Sequence, residues 1–141
     1  MNHSIDRRIT KLYEAIENLE EIKKIDLKEF LASRYLPYAA ERLLHIIIEI
    51  LVDLGNYIIR KEGLPSPDTY SDTFRILCNN GILPLEYKDP LEDMARFRNK
   101  LVHGYLSVDS RFIFGIIEND LDLVKEITEL LIDKISKIEK K

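Results

Sequence analysis

The 141 residues, 45% hydrophobic and 33% charged, suffice for one packed domain spanning 1–141 and are too few for two. The lone cysteine, Cys78, excludes an intrachain disulfide. The longest apolar runs, broken by His45, Glu49 and Asp53, fall short of a membrane span, so a soluble cytoplasmic protein with no membrane partner is expected. A net charge of −4 speaks against an indiscriminate nucleic-acid coat while leaving room for a local basic pocket.

Ile and Leu number 20 each against 5 Gly, a composition that favours long helices over sheets with glycine-rich turns. The first segment spaces Ile5, Ile9, Leu12, Ile16, Leu19 and Ile22 by three or four residues, which makes one apolar stripe on a helix. Asp26, with Glu29 three residues on, signals the start of a short helical turn from Leu27 to Ala32. The longest helix is predicted from about Arg34 to Lys61, with Pro37 either interrupting it or sitting in its first turn. That helix is apolar on more than one face, which places it at the centre of a bundle or at an interface. Residues 63–67, Gly-Leu-Pro-Ser-Pro, form the clearest loop.

Asp68 to Asn80 reads as a helix closed by Gly81. Pro84 and Pro90 bracket a turn into a helix from Leu91 to about His103, which Gly104 ends. Ser110 caps a further turn containing Phe112, Ile113, Ile116 and Ile117, a segment that could alternatively be a strand. The last helix runs from Asn119 or Asp120 to Ile138. The expected architecture is all-α, an up-and-down bundle of five or six helices.

The chemistry is concentrated in residues 94–105, Met-Ala-Arg-Phe-Arg-Asn-Lys-Leu-Val-His-Gly-Tyr. Within it, Arg98-Asn99 followed by His103 and Tyr105 resembles the signature of the HEPN superfamily, and in particular its HepT-like toxins. Upstream, Arg34-Tyr35, Glu41, Glu49 and Asp53 match the arrangement on the long second helix of those proteins. The resemblance implies a homodimeric HEPN-type bundle in which two motif copies line one cleft, acting as a metal-independent endoribonuclease with no cofactor. It further implies a small MNT-type nucleotidyltransferase as antitoxin, which adds AMP to the motif tyrosine, here Tyr105. A non-catalytic bundle that docks a nucleotidyltransferase or a nucleotide is the other role the resemblance allows.

The residue types suit that chemistry. Metal-free RNA cleavage turns the 2′-OH on the neighbouring phosphate, and needs a proton carrier near neutrality and a fixed cation on the phosphate oxygens. His103 fits the first task and Arg98 the second. Asn99 either assists Arg98 or simply faces solvent, and Tyr105 is either the modified phenol or a ring packed over the helix end. Arg96 and Lys100 are candidate RNA contacts. On an ideal helix, residues 98 and 103 point roughly 140° apart. One helix therefore aims both at one phosphate only if it ends before His103, or if a twofold partner supplies the second group.

Glu41, His45, Glu49 and Asp53 recur every four residues on the central helix. The Glu-x-x-His pairs of a di-metal bundle are missing, so no metal is expected. The strip reads instead as polar groups paired with Arg34, Arg42 or a second subunit, with Glu49 or Asp53 possible supports for the cleft. Cys78 reads as a small core residue.

Overall fold

The computed structural model describes residues 3–102 and 109–140. Six α-helices follow in order: α1 (His3–Lys23), α2 (Leu27–Ala32), α3 (Leu36–Lys61), α4 (Tyr70–Asn79), α5 (Lys88–Val102) and α6 (Ser110–Glu139). A 3₁₀ turn, Leu85–Tyr87, leads into α5. No strand occurs among the described residues.

Each start has a local cause. The Asp26 carboxylate accepts the Glu29 amide at 2.8 Å and caps α2. Pro37 falls in the first turn of α3, where its missing N–H goes unused, and Ser33 Oγ receives the Leu36 amide at 3.0 Å. α4 begins at Tyr70, two residues later than the expected Asp68, because Thr69 caps it in a reciprocal capping box with Asp72. Gly81 takes up φ +74° just past α4, the left-handed geometry expected of a closing glycine.

The last helix differs from its expected form. It is continuous from Ser110 and is capped by Asp109, with no break at Asn119 and no strand over residues 111–117. Ile113, Ile117, Leu121 and Val124 are all buried at spacings of four, four and three. That single apolar stripe crosses the presumed break, and burying it outweighs the capping signals inside it.

The helix α3 is the hub. It packs against α1 and α6, which also meet each other, and against α4 and α5, which also meet each other. Leu44, Ile47, Ile48, Leu51, Leu54 and Ile58 on α3 are almost wholly enclosed, as the two-faced apolar pattern requires. Polar ties reinforce the seams: Tyr13 donates to Glu129 at 2.7 Å, and Lys134 pairs with Glu62 at 2.8 Å. Between α5 and α6 an apolar hollow of about 710 Å³ opens over Leu44 and Ile47, walled by Phe97, Phe112 and Ile116. Arg98 does not line it.

Candidate active site

Arg98 is placed by the amphipathic pattern of α5. Leu91, Ala95 and Phe97 are buried against the bundle, which rotates Arg98 into the seam with α3 and α4 rather than into solvent. There its Nε donates to Glu49 Oε1 at 2.6 Å. The guanidinium carbon lies 4.5 Å from the centre of the Tyr70 ring, a stacked cation–π contact. Tyr70 OH donates to the other oxygen, Glu49 Oε2, at 2.6 Å. His45 Nε2 sits 3.1 Å from Glu49 Oε1. Three helices thus converge on one carboxylate: α3 supplies Glu49 and His45, α4 supplies Tyr70 and α5 supplies Arg98.

The electrostatics follow from that convergence. Burial alone raises the pKa of Glu49, but hydrogen bonds from Tyr70, Arg98 and His45 outweigh it and hold the carboxyl below its ordinary range. Tyr70 moves the other way: burial first, then its bond to the Glu49 carboxylate, pushes the phenol up, opposed in part by Arg98. The cluster therefore holds an ionised Glu49, a neutral Tyr70 and a charged Arg98. Because Glu49 engages Nε, the two terminal guanidinium nitrogens have no protein acceptor among the described residues. Side chains of Arg98, Glu49 and His45 are 25%, 29% and 23% exposed, so this fixed cation remains open to a ligand from solvent.

The other expected site residues divide. Asn99 is exposed beside Arg98. Arg96 and Lys100 are exposed but lie roughly 160° around α5 from Arg98, and Arg96 is paired with Asp93. Within one chain they do not join Arg98 in a single basic cleft. His103 and Tyr105 lie outside the described residues. Glu49 pairs with Arg98, His45 and Tyr70 rather than with Arg34 or Arg42, while Asp53 pairs with Arg8 of α1 at 2.9 Å. Cys78 is buried, as expected of a small core residue. Among the described residues no three His, Cys, Asp or Glu side chains are grouped to hold a metal ion, and no helix is long and apolar enough to cross a membrane.

Sequence reasoning missed Tyr70. It lies 21 residues beyond Glu49, and nothing in its neighbourhood advertises it. It is the first residue of α4, and only the docking of α4 on α3 brings its ring under Arg98.

Known proteins resemble this chain in architecture and in sequence. The chain is 22% identical over 131 residues to the mRNA nuclease HepT of Shewanella oneidensis, covering 93% of this chain and 98% of that protein. It is 26% identical over 132 residues to the tRNA nuclease HepT of Aphanizomenon flos-aquae, covering 91% and 90%. Its fold superposes with a TM-score of 0.82 on the tri-AMPylated Shewanella oneidensis HEPN toxin in complex with MNT antitoxin, at 22% identity over 93% of this chain and 98% of that one. The family model described as Ribonuclease HepT-like matches residues 12–131, which takes in both the Glu49 cluster and the whole Arg98–Tyr105 motif, and the chain belongs to that family.

Proposed function

We propose that this protein is a metal-independent endoribonuclease, the toxin of a toxin–antitoxin pair, with Arg98 as its phosphate anchor and His103 as its proton carrier. The observation that carries the reading is the Arg98 guanidinium, immobilised through Nε by Glu49 and over the Tyr70 ring with its terminal nitrogens left for an anion. A cation held in advance stabilises charge building on phosphate oxygens without reorganising during the reaction. In the step inferred, the 2′-OH loses its proton and attacks the adjacent phosphorus, and the bond to the 5′-oxygen breaks. The products are a 2′,3′-cyclic phosphate and a 5′-hydroxyl end. His103 moves a proton in that exchange and Asn99 supports the phosphate contact.

A homodimer supports this chemistry by bringing two motif copies to one cleft, where Arg96 and Lys100 of one protomer can face the RNA bound at its partner. The partner class is a nucleotidyltransferase antitoxin of the MNT type. Addition of AMP to Tyr105 would place a bulky anion beside Arg98 and repel the substrate.

Two measurements test the reading. Purified protein in EDTA is expected to cut single-stranded RNA, and Arg98→Ala or His103→Ala to lose about a hundred-fold or more in rate. Equal cutting by wild type and both variants would remove the catalytic assignment. Intact mass spectrometry after co-expression with such a nucleotidyltransferase is expected to show AMP adducts that vanish in Tyr105→Phe; adducts that persist would place the modification elsewhere.

A further inference from the structure

Two of the most exposed aromatic side chains in the described structure lie close together at the start of α3, Tyr35 as its N-cap residue and Tyr38 in its first turn. Tyr35 is 72% and Tyr38 is 73% exposed, more than any other large hydrophobic or aromatic side chain among the described residues. Tyr38 shares its face with Arg42, His45 and Glu49, all four within a sector of about 60° on an ideal helix. The strip ends at the carboxylate that holds Arg98. Arg42 is exposed on it and Arg34 is exposed in the bend just before α3, and no carboxylate pairs with either among the described residues. Glu41, the acidic neighbour in the same turns, is half-buried and lies about 60° around the helix from Tyr38, outside the sector that holds the strip. Beyond Glu49 in the other direction the charge is already neutralised, because Asp53 is paired with Arg8.

We propose that this strip is a single-stranded RNA track, with Tyr38 and Tyr35 as stacking platforms for bases and Arg42 and Arg34 as contacts to the phosphates. The inference rests on the ribonuclease reading for its direction, since the track leads from solvent to the Arg98 anchor. From Tyr38 to Glu49 the helix rises about 16 Å, a length for a few nucleotides upstream or downstream of the cut. Exposed aromatic faces flanked by cations are the chemistry that holds unpaired bases without reading their sequence. It also explains how a chain of net charge −4 engages RNA: the favourable surface is confined to one strip beside the anchor.

The test compares wild type with Tyr38→Ala, the double variant Tyr35→Ala/Tyr38→Ala, and Tyr38→Phe, which keeps the stacking face. Binding of a fluorescein-labelled single-stranded RNA dodecamer is followed by anisotropy in EDTA, and cleavage is followed on that RNA and on a dinucleotide too short to reach Tyr38. Tyr38→Ala is expected to weaken dodecamer binding about ten-fold and to raise KM alike, with kcat and dinucleotide cleavage unchanged, and Tyr38→Phe to restore wild-type binding. Unchanged dodecamer binding in the double variant would overturn the track. So would binding kept intact while the protein's self-association or its hold on a nucleotidyltransferase is lost, which would make the strip a protein interface. The two readings fail separately: if wild type binds RNA through Tyr38 but never cuts it, the track stands and the nuclease reading falls.

Discussion

At the scale of single residues, Glu49 carries the arrangement. It is the common acceptor for Arg98, Tyr70 and His45, so its loss frees three side chains at once. Glu49→Gln keeps the shape but gives up the charge that fixes the guanidinium. The variant is expected to lose about ten- to a hundred-fold in cleavage, because an anchor displaced by an ångström no longer meets the phosphate. The expected stability loss is about 1–2 kcal/mol, smaller than for a fully buried pair because both partners keep solvent contact. The pH dependence has a definite sign. Since the folded pKa of Glu49 lies below its ordinary 4.5, its stabilising contribution is complete above about pH 4.5 and is lost as pH falls through the lowered folded value. Wild-type stability, measured by chemical denaturation at a series of pH values, is therefore expected to fall more steeply below about pH 4.5 than that of Glu49→Gln, so that the gap between the two narrows in acid. Superimposable acid curves would show that Glu49 stores no such energy.

Between elements, the seam of α3 with α4 sets the position of Tyr70. Gly55 makes the close approach possible: a Cβ there would lie 2.8 Å from Leu77 Cδ1 and 2.9 Å from Thr73 Cγ2. Leu77 is wholly enclosed and Thr73 is tied to Asn56 at 2.8 Å, so neither side chain has room to swing aside. Gly55→Ala gains about 1 kcal/mol of helix propensity but meets an overpacking cost of about 1–3 kcal/mol. A net loss of up to about 2 kcal/mol is expected in chemical denaturation, together with weaker stacking of Tyr70 on Arg98. A more stable Gly55→Ala protein would mean that α4 shifts without cost.

The elements also show what sequence can and cannot reveal. The start of α2 at Asp26 and the closing role of Gly81 were legible because each rests on a local rule of backbone chemistry, whereas Pro37 had two permitted places, of which the first turn of α3 is the one observed. The continuity of α6 was not, since Asp120 and Asn119 offer local capping signals that only burial of Ile117 and Leu121 overrules. The site was half legible. Arg98 was marked by its motif, and Glu49 was recognised as polar on an apolar helix. Their pairing spans 49 residues and depends on how α5 is rotated against α3, which no spacing rule encodes. Arg96 and Lys100 illustrate the converse: adjacent in sequence to Arg98, they are turned away from it by the 3.6-residue period of the same helix.

At the scale of the whole molecule, the Arg98 guanidinium sits beside a central helix that is almost entirely enclosed except along one polar strip. That strip carries His45 and Glu49 at one end and exposed aromatics at the other, while α1, α2, α4, α5 and α6 cover the rest. The bundle thus spends most of α3 on stability and leaves one edge for chemistry. The central claim, that the Arg98 guanidinium is a fixed phosphate anchor for metal-free RNA cleavage, is tested most directly by single-turnover cleavage in EDTA with wild type, Arg98→Lys and Arg98→Ala. Lysine keeps the positive charge but cannot bond Glu49 through Nε while presenting two terminal nitrogens to phosphate. Rapid cutting by wild type is expected, and a loss of about a hundred-fold for both variants, with folding unchanged by circular dichroism. Full activity in Arg98→Lys would show that charge alone suffices, and full activity in Arg98→Ala would contradict the account.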